Sequence, residues 1–265
     1  MQRFLARVFA EPGMPWILKG GTGLLVRLPG ARHSEDVDLL HLEADLEQAF
    51  AELRELTSAT TALDPLTFQV TKKDRDSEFG SLTLRLRATP YFGTNPAQSF
   101  PIDLTSRREL VGAVDLITPV QVLDIEDVSA PPLFACYPLA DQIADKVAAM
   151  YERHGARELP STRWRDLADL LMLIRTVPFD AADTCAALAE QPARRPGLRL
   201  PAAVESPGED WNTGYGKLAK TTTLPPELHS LDAALVVLGH CVNPLLDRSV
   251  ETGTWNPVSR AWSVN

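Results

Sequence analysis

Two carboxylates near the start of the chain have the spacing of a metal site. Asp36 and Asp38 flank Val37 at the head of a predicted strand. Residues two apart on a strand point to the same face, so both carboxylates aim at one point while Val37 faces the core. In phosphoryl-transfer sites Mg²⁺ is held by one or two carboxylates together with substrate phosphates. The pair therefore predicts a metal-dependent phosphoryl-transfer centre, although an Asp-x-Asp run alone is also typical of a solvated strand end.

A glycine turn precedes this pair and could hold the phosphates. Gly20, Gly21 and Thr22 lead into a short helix that is predicted to end at Leu28. Glycine lets backbone N–H groups approach phosphate oxygens closely, and a helix N-terminus favours negative charge. Thr22 is either the N-cap of that helix or a hydroxyl that faces phosphate. The missing Gly-Lys-Ser/Thr argues against a P-loop, and no acidic strand end closes a βαβ unit at the distance of a dinucleotide fold.

The order and spacing of these residues resemble those of the DNA-polymerase-β-like nucleotidyltransferase superfamily, and more narrowly those of the AbiEii/AbiGii (MenT-like) toxin family. The resemblance rests on the Lys-Gly-Gly-Thr run, on an arginine in the following helix, and on the Arg-x-Ser-x-Asp-x-Asp run. It implies that Asp36 and Asp38 are catalytic metal ligands. It also implies a nucleotide-binding set that consists of Lys19, Gly20, Gly21, Thr22, Arg27, Arg32 and Ser34. The resemblance also fits arginines that brace the loop, and from the residues alone Arg27 and Arg32 fit solvated surface charges.

Two further motifs of this family recur in the second half of the chain. A helix predicted over 138–153 carries Lys146 and Arg153, seven residues apart and hence on one face, in a Lys-x-x-Ala-x-x-x-Arg pattern. The next predicted helix opens with an Arg-Asp-x-x-Asp run that contains Asp166 and Asp169. The resemblance implies catalytic roles for Lys146 and Asp166, with the carboxylate holding the ammonium in place. It assigns Arg153 and Asp169 to support; the alternatives are a snorkelling surface lysine and carboxylates that merely suit a helix dipole.

A third carboxylate and a basic strand accompany these motifs. The predicted strand Ser99–Leu104 carries Asp103 on its polar face. In the wider superfamily a carboxylate from a later strand helps to deprotonate the attacking hydroxyl, so the resemblance makes Asp103 the candidate for that role and for a third metal contact. The predicted strand Ser81–Arg87 alternates leucines with polar residues that include Arg85. Its basic face is either solvated or in contact with RNA or triphosphate.

These candidate residues require an α+β architecture. The Ala130-Pro131-Pro132 run marks a hinge. We therefore predict an N-terminal mixed β-sheet nucleotidyltransferase domain over 1–130 and a C-terminal helical domain over 131–265. Further helices are predicted at 2–10, 43–56, 179–190 and within 226–246, a further strand at 68–72, a strand or short helix at 118–128, a loop at 191–201, irregular structure at 211–224, and a tail whose Trp255 and Trp262 pack onto the body.

The composition fits a globular protein without a membrane span. The 265 residues are 45% hydrophobic and 23% charged, and no apolar run reaches the roughly 18 residues that would cross a membrane. The N-terminus lacks the apolar core of a signal peptide, and three widely spaced cysteines fit reduced thiols. We therefore expect a cytoplasmic protein. The net charge of −9 argues against a generic nucleic-acid coat and permits a focused nucleotide and metal site.

The resemblance implies a nucleotidyltransferase that depends on Mg²⁺ or Mn²⁺, uses an NTP and acts as the toxin of a type IV toxin–antitoxin pair. The implied acceptor is RNA, above all the tRNA 3′ end, which cannot be aminoacylated once it is capped. The implied protein partner is a cognate antitoxin. Two alternatives stay open. The same fold could modify a small molecule such as a cationic aminoglycoside, or the chain could be an inactive protein that binds nucleotide or a partner.

Overall fold

The computed structural model describes residues 1–31, 34–58, 64–73, 83–122 and 128–263. These residues divide into two units, which we call the sheet unit and the helical unit. The sheet unit comprises most of the chain up to Tyr137. The helical unit comprises the chain from Pro138 onward, together with Leu110–Ala113 and the turn at Gly30. The predicted α+β class is thereby confirmed.

A mixed sheet is the framework of the sheet unit. Its strands are β1 (Trp16–Lys19), β2 (Val37–His41), β3 (Leu66–Lys72), β4 (Thr83–Phe92), β5 (Asn95–Pro96), β6 (Phe100–Ser106), β7 (Asp115–Ile117) and β8 (Phe134–Cys136). Its helices are α1 (Gln2–Val8), α2 (Gly20–Arg27) and α3 (Leu46–Ser58). The strand order is β3-β4-β6-β2-β1-β8-β7, with β5 paired to β4. The pairs β2–β6 and β1–β8 are parallel, and the other pairs are antiparallel.

Side-chain alternation gives this sheet an apolar face and a polar face. On β4, Leu86 is buried whereas Arg85 and Arg87 are exposed. The buried side chains of the sheet form one cluster with residues of α1 and α3. Within that cluster the ring of Phe4 meets the ring of Phe68 edge-on, with 5.3 Å between centroids. The apolar face therefore holds the unit together, and the other face carries the charged residues beside the buried side chains of Ile17 and Leu40.

The helical unit is built from packed helices with short strands at its margins. Its helices are α4 (Leu139–Tyr151), α5 (Trp164–Thr176), α6 (Ala181–Ala189), α7 (Gln191–Arg194), α8 (Trp211–Ala219) and α9 (Leu231–Leu246), with a 3₁₀ turn at Pro226–Leu228. Its strands are β9 (Arg153–His154), β10 (Leu159–Pro160), β11 (Phe179–Asp180), β12 (Thr254–Asn256) and β13 (Ala261–Ser263). Helix α4 packs against α5 and α6, and α5 packs against α8 and α9. Within the described ranges, no helix is long and apolar enough to cross a membrane.

Residues 211–219 form helix α8, so the prediction of irregular structure there was wrong. Two glycines lower the helix propensity of this segment. However, Trp211 and Tyr215 lie one turn apart and are both buried. Gly214 is needed for this packing, because a Cβ there would lie 2.2 Å from Cε2 of Trp164 on α5. Burial of the aromatic rings therefore outweighs the unfavourable local propensity.

Other element boundaries differ from the sequence prediction more modestly. The loop predicted at 191–201 begins with helix α7, the helix predicted over 138–153 ends at Tyr151, and residues 118–122 are irregular. Residues 123–127 and the first two residues of the strand predicted at 81–87 lie outside the described residues. The predicted packing of the tail is confirmed, since Trp255 is buried and its Nε1 donates to the carbonyl oxygen of Ile174 at 2.6 Å.

Each unit contains one fully buried thiol. Cys136 ends β8 in the sheet unit, and Cys241 lies in α9 of the helical unit. Burial raises the pKa of Cys136 to about 12 and raises the pKa of Cys241 as well. Both side chains are therefore protonated thiols at neutral pH, and a protonated thiol is a poor nucleophile.

Candidate active site

The polar face of the sheet carries a row of charged residues across four neighbouring strands. Lys19 of β1 is in register with Asp38 of β2, and Asp38 is in register with Asp103 of β6. Asp103 lies opposite Arg85 of β4. Residues in register share a face, so the four side chains form one row, with adjacent strands about 4.8 Å apart. The structure thus brings two of the predicted carboxylates together and flanks them with a cation on each side.

Gly20 lets the glycine turn meet the carboxylate of Asp38. Its backbone φ is +61°, a left-handed conformation that glycine adopts without strain. A Cβ on Gly20 would lie 1.7 Å from Oδ2 of Asp38 and 2.4 Å from its Cγ, well inside van der Waals contact. The start of α2 therefore touches the carboxylate directly. A helix N-terminus, where anions are favoured, and a carboxylate oxygen are therefore next to each other at this point.

Two hydroxyls hold Asp36, which lies just ahead of β2 and not on it. Ser34 Oγ donates a hydrogen bond to Oδ1 of Asp36 at 2.6 Å, and Thr22 Oγ1 donates to the carbonyl oxygen of Asp36. Ser34 and Thr22 are both buried. The orientation of Asp36 therefore comes from these contacts and not from the strand pleat that the sequence suggested. The N-cap of α2 is Lys19, and the Thr22 hydroxyl links α2 to the aspartate segment.

Arg27 links α2 to β7, the edge strand at the other end of the sheet from β3. Its Nη2 donates to Oδ2 of Asp115 at 2.7 Å and to the carbonyl oxygen of Tyr137 at 3.0 Å. The side chain is only 9% exposed, and its Nε has no hydrogen-bond partner in the part of the chain that the structure describes. Of the interpretations left open by the sequence, this geometry favours bracing. Arg32, the other arginine of the predicted set, lies outside the described residues.

The donor set of the sheet unit suits a metal that a nucleotide helps to bind. Among the described residues, no three His, Cys, Asp or Glu side chains form a group that could hold a metal by themselves. Mg²⁺ usually takes one or two carboxylates and completes its coordination with phosphates and water. Asp38 against the glycine turn and Asp36 on its hydroxyl contacts are oxygen donors of this kind.

The helical unit contains its own cluster of buried charges. Lys146 Nζ on α4 donates to Oδ1 of Asp166 at 2.8 Å and to Oδ2 of Asp169 at 2.7 Å. These three side chains are at most 9% exposed. Arg163 Nε donates to the other carboxylate oxygen of Asp166 at 2.7 Å. An ammonium has three N–H donors, so one N–H of Lys146 remains that none of the described residues accepts.

The charges of this cluster stabilise one another. Burial alone would lower the pKa of Lys146, but Asp166 and Asp169 outweigh it and hold the pKa above its usual 10.5. Burial alone would raise the pKa of Asp166, but Lys146 and Arg163 hold it below its usual 3.8. Lys146 and Asp166 are therefore both charged across the neutral range, and the ammonium is held in one position.

A comparison with known proteins decides the family. The family described as "Nucleotidyl transferase AbiEii toxin, Type IV TA system" matches residues 3–237 of the chain. The chain belongs to the AbiEii family. It is therefore a nucleotidyltransferase of the type IV toxin–antitoxin class, and this class implies an NTP substrate and an antitoxin partner. A search of curated protein sequences finds no match.

Two solved bacterial structures have the AbiEii-like fold of this chain. MenT4, the nucleotidyltransferase toxin Rv2826c from Mycobacterium tuberculosis H37Rv, is 18% identical and superposes with a TM-score of 0.57 over 92% of this chain and 81% of that chain. JHP933 from Helicobacter pylori is 17% identical and has a TM-score of 0.51 over 94% of this chain and 90% of that chain. At such low identity these likenesses show a shared fold.

The AbiEii motifs of the helical unit differ in two details from the sequence prediction. Arg153 was predicted to share a helical face with Lys146, and this placement was wrong: α4 ends at Tyr151, and Arg153 is exposed in β9. Arg163 was missed, although it completes the hydrogen bonds of Asp166. Its signal was present in the sequence, because an arginine three residues ahead of an aspartate at a helix start is within reach of that carboxylate.

Proposed function

We propose that this AbiEii-family chain transfers a nucleotidyl group from an NTP to the hydroxyl at the 3′ end of an RNA, and that tRNA is the acceptor. One observation carries the proposal: the Asp38 carboxylate lies against the glycine turn at Gly20, and Asp103 stands beside it in the sheet. This arrangement supports a site that combines phosphate binding, metal binding and a base. A tRNA capped in this way cannot be aminoacylated, so translation would stop.

Asp36 and Asp38 are the residues that would hold Mg²⁺ or Mn²⁺. Ser34 positions Asp36 through the short hydrogen bond to its carboxylate. The backbone N–H groups that follow Gly20 at the start of α2 would receive the phosphates of the NTP. When bound, the metal would neutralise charge on the triphosphate and help to orient it.

Asp103 is the proposed base of the transfer. The acceptor hydroxyl attacks the α-phosphorus, and a new oxygen–phosphorus bond forms as the bond to the β-phosphate oxygen breaks. Pyrophosphate leaves with that oxygen, and Asp103 takes the hydroxyl proton. The register with Asp38 supports this role, since it sets the base one strand away from a metal-binding carboxylate.

Lys146 is the proposed catalytic cation of the helical unit, and Asp166 and Asp169 are its positioning residues. The two carboxylates keep the ammonium charged and fixed. A preorganised cation of this kind can stabilise a transition state by a few kcal/mol, because no reorganisation is needed at the moment of reaction.

The charge of the acceptor separates this proposal from its rival, the modification of a small molecule. The net charge of −9 would attract a cationic aminoglycoside. The polar sheet face next to Asp103, however, carries Arg85 and Arg87, both of which are exposed. Cations at the acceptor side suit the phosphates of RNA and repel a polycation.

Transfer of label from the NTP decides between these acceptors. The purified chain is incubated with each labelled NTP and Mg²⁺, and with either total tRNA or a set of aminoglycosides. The matched variant is Asp38→Asn, which keeps the size of the side chain and loses its charge. The proposal is supported if the wild-type chain labels tRNA and the Asp38→Asn variant does not. Label on an aminoglycoside supports the rival. Label on neither would contradict both and favour a protein that only binds.

A further inference from the structure

The polar side of the sheet extends past the charged row onto β4 and β3. We call the surface formed by Gln69, Thr71, Arg85, Arg87, Thr89 and Tyr91 the β3–β4 face. Its members alternate along their strands with residues of the apolar face, such as Leu86, so they share one side of the sheet. Arg85 is the member of this face that lies opposite Asp103 on the neighbouring strand.

The strand order puts the β3–β4 face and the glycine turn on opposite sides of the carboxylates. Gly20 follows β1, Asp38 is on β2, Asp103 is on β6, and β4 comes next. In phosphoryl transfer the attacking and leaving oxygens lie roughly in line through the phosphorus. With the phosphates at the glycine turn, pyrophosphate leaves on the β1 side. The acceptor hydroxyl must therefore arrive from the β4 side.

The residues of the β3–β4 face suit a single strand of nucleic acid. Arg87 is exposed, no carboxylate of the described residues pairs with it, and it lies two residues from Arg85, about 7 Å along β4. The Tyr91 hydroxyl donates to Oε1 of Gln69 at 3.2 Å, which holds the half-buried ring in place. Single strands are bound by cations that contact phosphates and by aromatic rings that stack on bases, and this face offers both.

The β3–β4 face ends at the edge strand β3, and a groove runs round that edge to α3, which packs on the apolar face. The groove has a volume of about 530 Å³, and Gln69, Thr71 and Tyr91 line it together with residues of α3. Among the α3 residues are Phe50 and Arg54, whose guanidinium lies 5.6 Å from the ring centroid of Phe50. The chemistry of the face, cation beside aromatic ring, is therefore repeated in the groove.

We infer that the β3–β4 face binds the last nucleotides of the RNA acceptor, with Arg87 contacting a phosphate and Tyr91 stacking on a base. The inference rests on the proposed function, because only an acceptor strand needs to enter beside Asp103. It adds a direction to the reaction: the NTP binds on the β1 side of the carboxylates, and the RNA enters across β4.

Binding of an RNA that cannot react tests this inference independently of catalysis. The probe is a fluorescent single-stranded RNA with a 3′-deoxy end, titrated by anisotropy at several salt concentrations. Loss of one phosphate contact lowers the slope of log K against log salt by about 0.7 for a single strand. We expect that decrease for Arg87→Gln. For Tyr91→Leu we expect roughly tenfold weaker binding at an unchanged slope, because stacking is lost and no charge is removed.

Arg107→Gln is the matched control. Arg107 follows the end of β6 that pairs with Thr83, six residues along β6 from the position opposite Arg87, and its 61% exposed side chain lies 3.9 Å from Asp45. This variant removes the same charge and should leave both affinity and slope unchanged. The inference would be overturned if Arg87→Gln and Arg107→Gln gave equal slopes, or if Tyr91→Leu bound the RNA with full affinity. Neither outcome would contradict the transfer reaction. A wild-type chain that does not bind the RNA would count against the RNA acceptor itself, and the face assignment would fall with it.

Discussion

A methyl group added at Gly20 would occupy the space that the Asp38 carboxylate fills. We therefore expect Gly20→Ala to push the carboxylate away from the glycine turn. A displacement of about 1 Å at a reacting centre can cost about a hundredfold in rate, so kcat/KM for nucleotidyl transfer should fall by at least that factor. The measurement is the initial rate of label transfer from NTP to the acceptor.

Gly13→Ala provides the control for the backbone effect. Gly13 also has a positive φ, +82°, but a Cβ there would meet nothing within 4 Å. Both variants carry a conformational cost of about 1 kcal/mol, and only Gly20→Ala meets a side chain. We expect Gly13→Ala and Gly20→Ala to have similar melting temperatures, and only Gly20→Ala to lose nucleotidyl transfer. Full activity of Gly20→Ala would contradict the proposed meeting of turn and carboxylate.

Asp36 and Ser34 should show graded losses, because one is a proposed metal ligand and the other positions it. We expect Asp36→Ala to abolish both transfer and toxicity in cells. Ser34→Ala removes one hydrogen bond to a charged group, worth about 1.5–3 kcal/mol, so kcat should fall roughly tenfold or more while the fold is kept. Transfer assays and growth curves measure the two effects. A toxic Asp36→Ala variant would defeat the mechanism.

Sequence spacing anticipated the elements that carry these residues and not their atomic contacts. The glycine turn at Gly20 and the strand start at Asp38 were each predicted from local features, but their direct contact was not predicted. The hydroxyls that hold Asp36 were not anticipated in their roles. Ser34 and Thr22 have many partners open to them, and the turn ahead of β2 decides which partner is in reach.

At the scale of elements, the packing of α5 on α8 depends on a glycine. Gly214→Ala would push a methyl group into the Trp164 ring, so we expect a loss of about 1–3 kcal/mol in the free energy of unfolding. Gly216 on the same helix has only a backbone oxygen at 3.6 Å from its would-be Cβ. There alanine should raise stability by about 0.5–1 kcal/mol through helix propensity. Urea unfolding followed by circular dichroism distinguishes them, and equal changes would contradict the packing account.

The α4–α5 charge cluster should give stability a specific pH dependence. The folded pKa of Asp166 is below 3.8, so its contribution is present above that pH and is lost as the pH falls through the folded value. The folded pKa of Lys146 is above 10.5, so its contribution is lost only as the pH rises beyond that value. The stability difference between wild type and Asp166→Asn should therefore be constant from about pH 5 to 9.

Below about pH 4 the stability difference between wild type and Asp166→Asn should shrink. Protonation then removes the negative charge of Asp166 from the wild type, and the variant lacks this charge at every pH. Urea unfolding at a series of pH values measures it. A difference that stays the same down to pH 3 would show that the Asp166 charge does not stabilise the fold.

Elements with a clear hydrophobic period were predictable, and those whose packing is non-local were not. The apolar residues of α4 recur at helical spacing, and the helix is present, although it ends two residues earlier than predicted. That small difference moves Arg153 off the helix, since helix ends are set by capping contacts that a period does not report. Helix α8 was missed because its stability comes from Trp211 and Tyr215, which are buried by other helices.

On the scale of the whole molecule, strand order decides what the motifs can do together. Alternation along β4 and β6 was readable from the sequence. The row that links Lys19, Asp38 and Asp103 exists only because β6 lies beside β2, and this pairing joins segments more than sixty residues apart. Such non-local pairing is what the family resemblance supplied and periodicity could not.

The negative net charge of the whole chain contrasts with the local positive charge of one sheet face. The chain carries −9, yet the cations Arg85 and Arg87 are concentrated on one sheet face. A protein of this kind is not expected to bind polyanions in general, since its net charge is negative. An acceptor would be held where the local field is positive, and long-range repulsion elsewhere would help to restrict it to that entry.

The buried thiols of Cys136 and Cys241 allow the opening rate of each unit to be measured separately. Alkylation requires a thiolate that the reagent can reach, and both conditions fail while the thiol is enclosed. Cys136 should therefore react only as fast as the sheet unit opens, and Cys241 only as fast as the helical unit opens. Mass spectrometry of the two alkylated peptides after timed exposure to iodoacetamide would give two opening rates from one sample. Adding NTP should lower the alkylation rate of Cys136 if the nucleotide binds to the sheet unit.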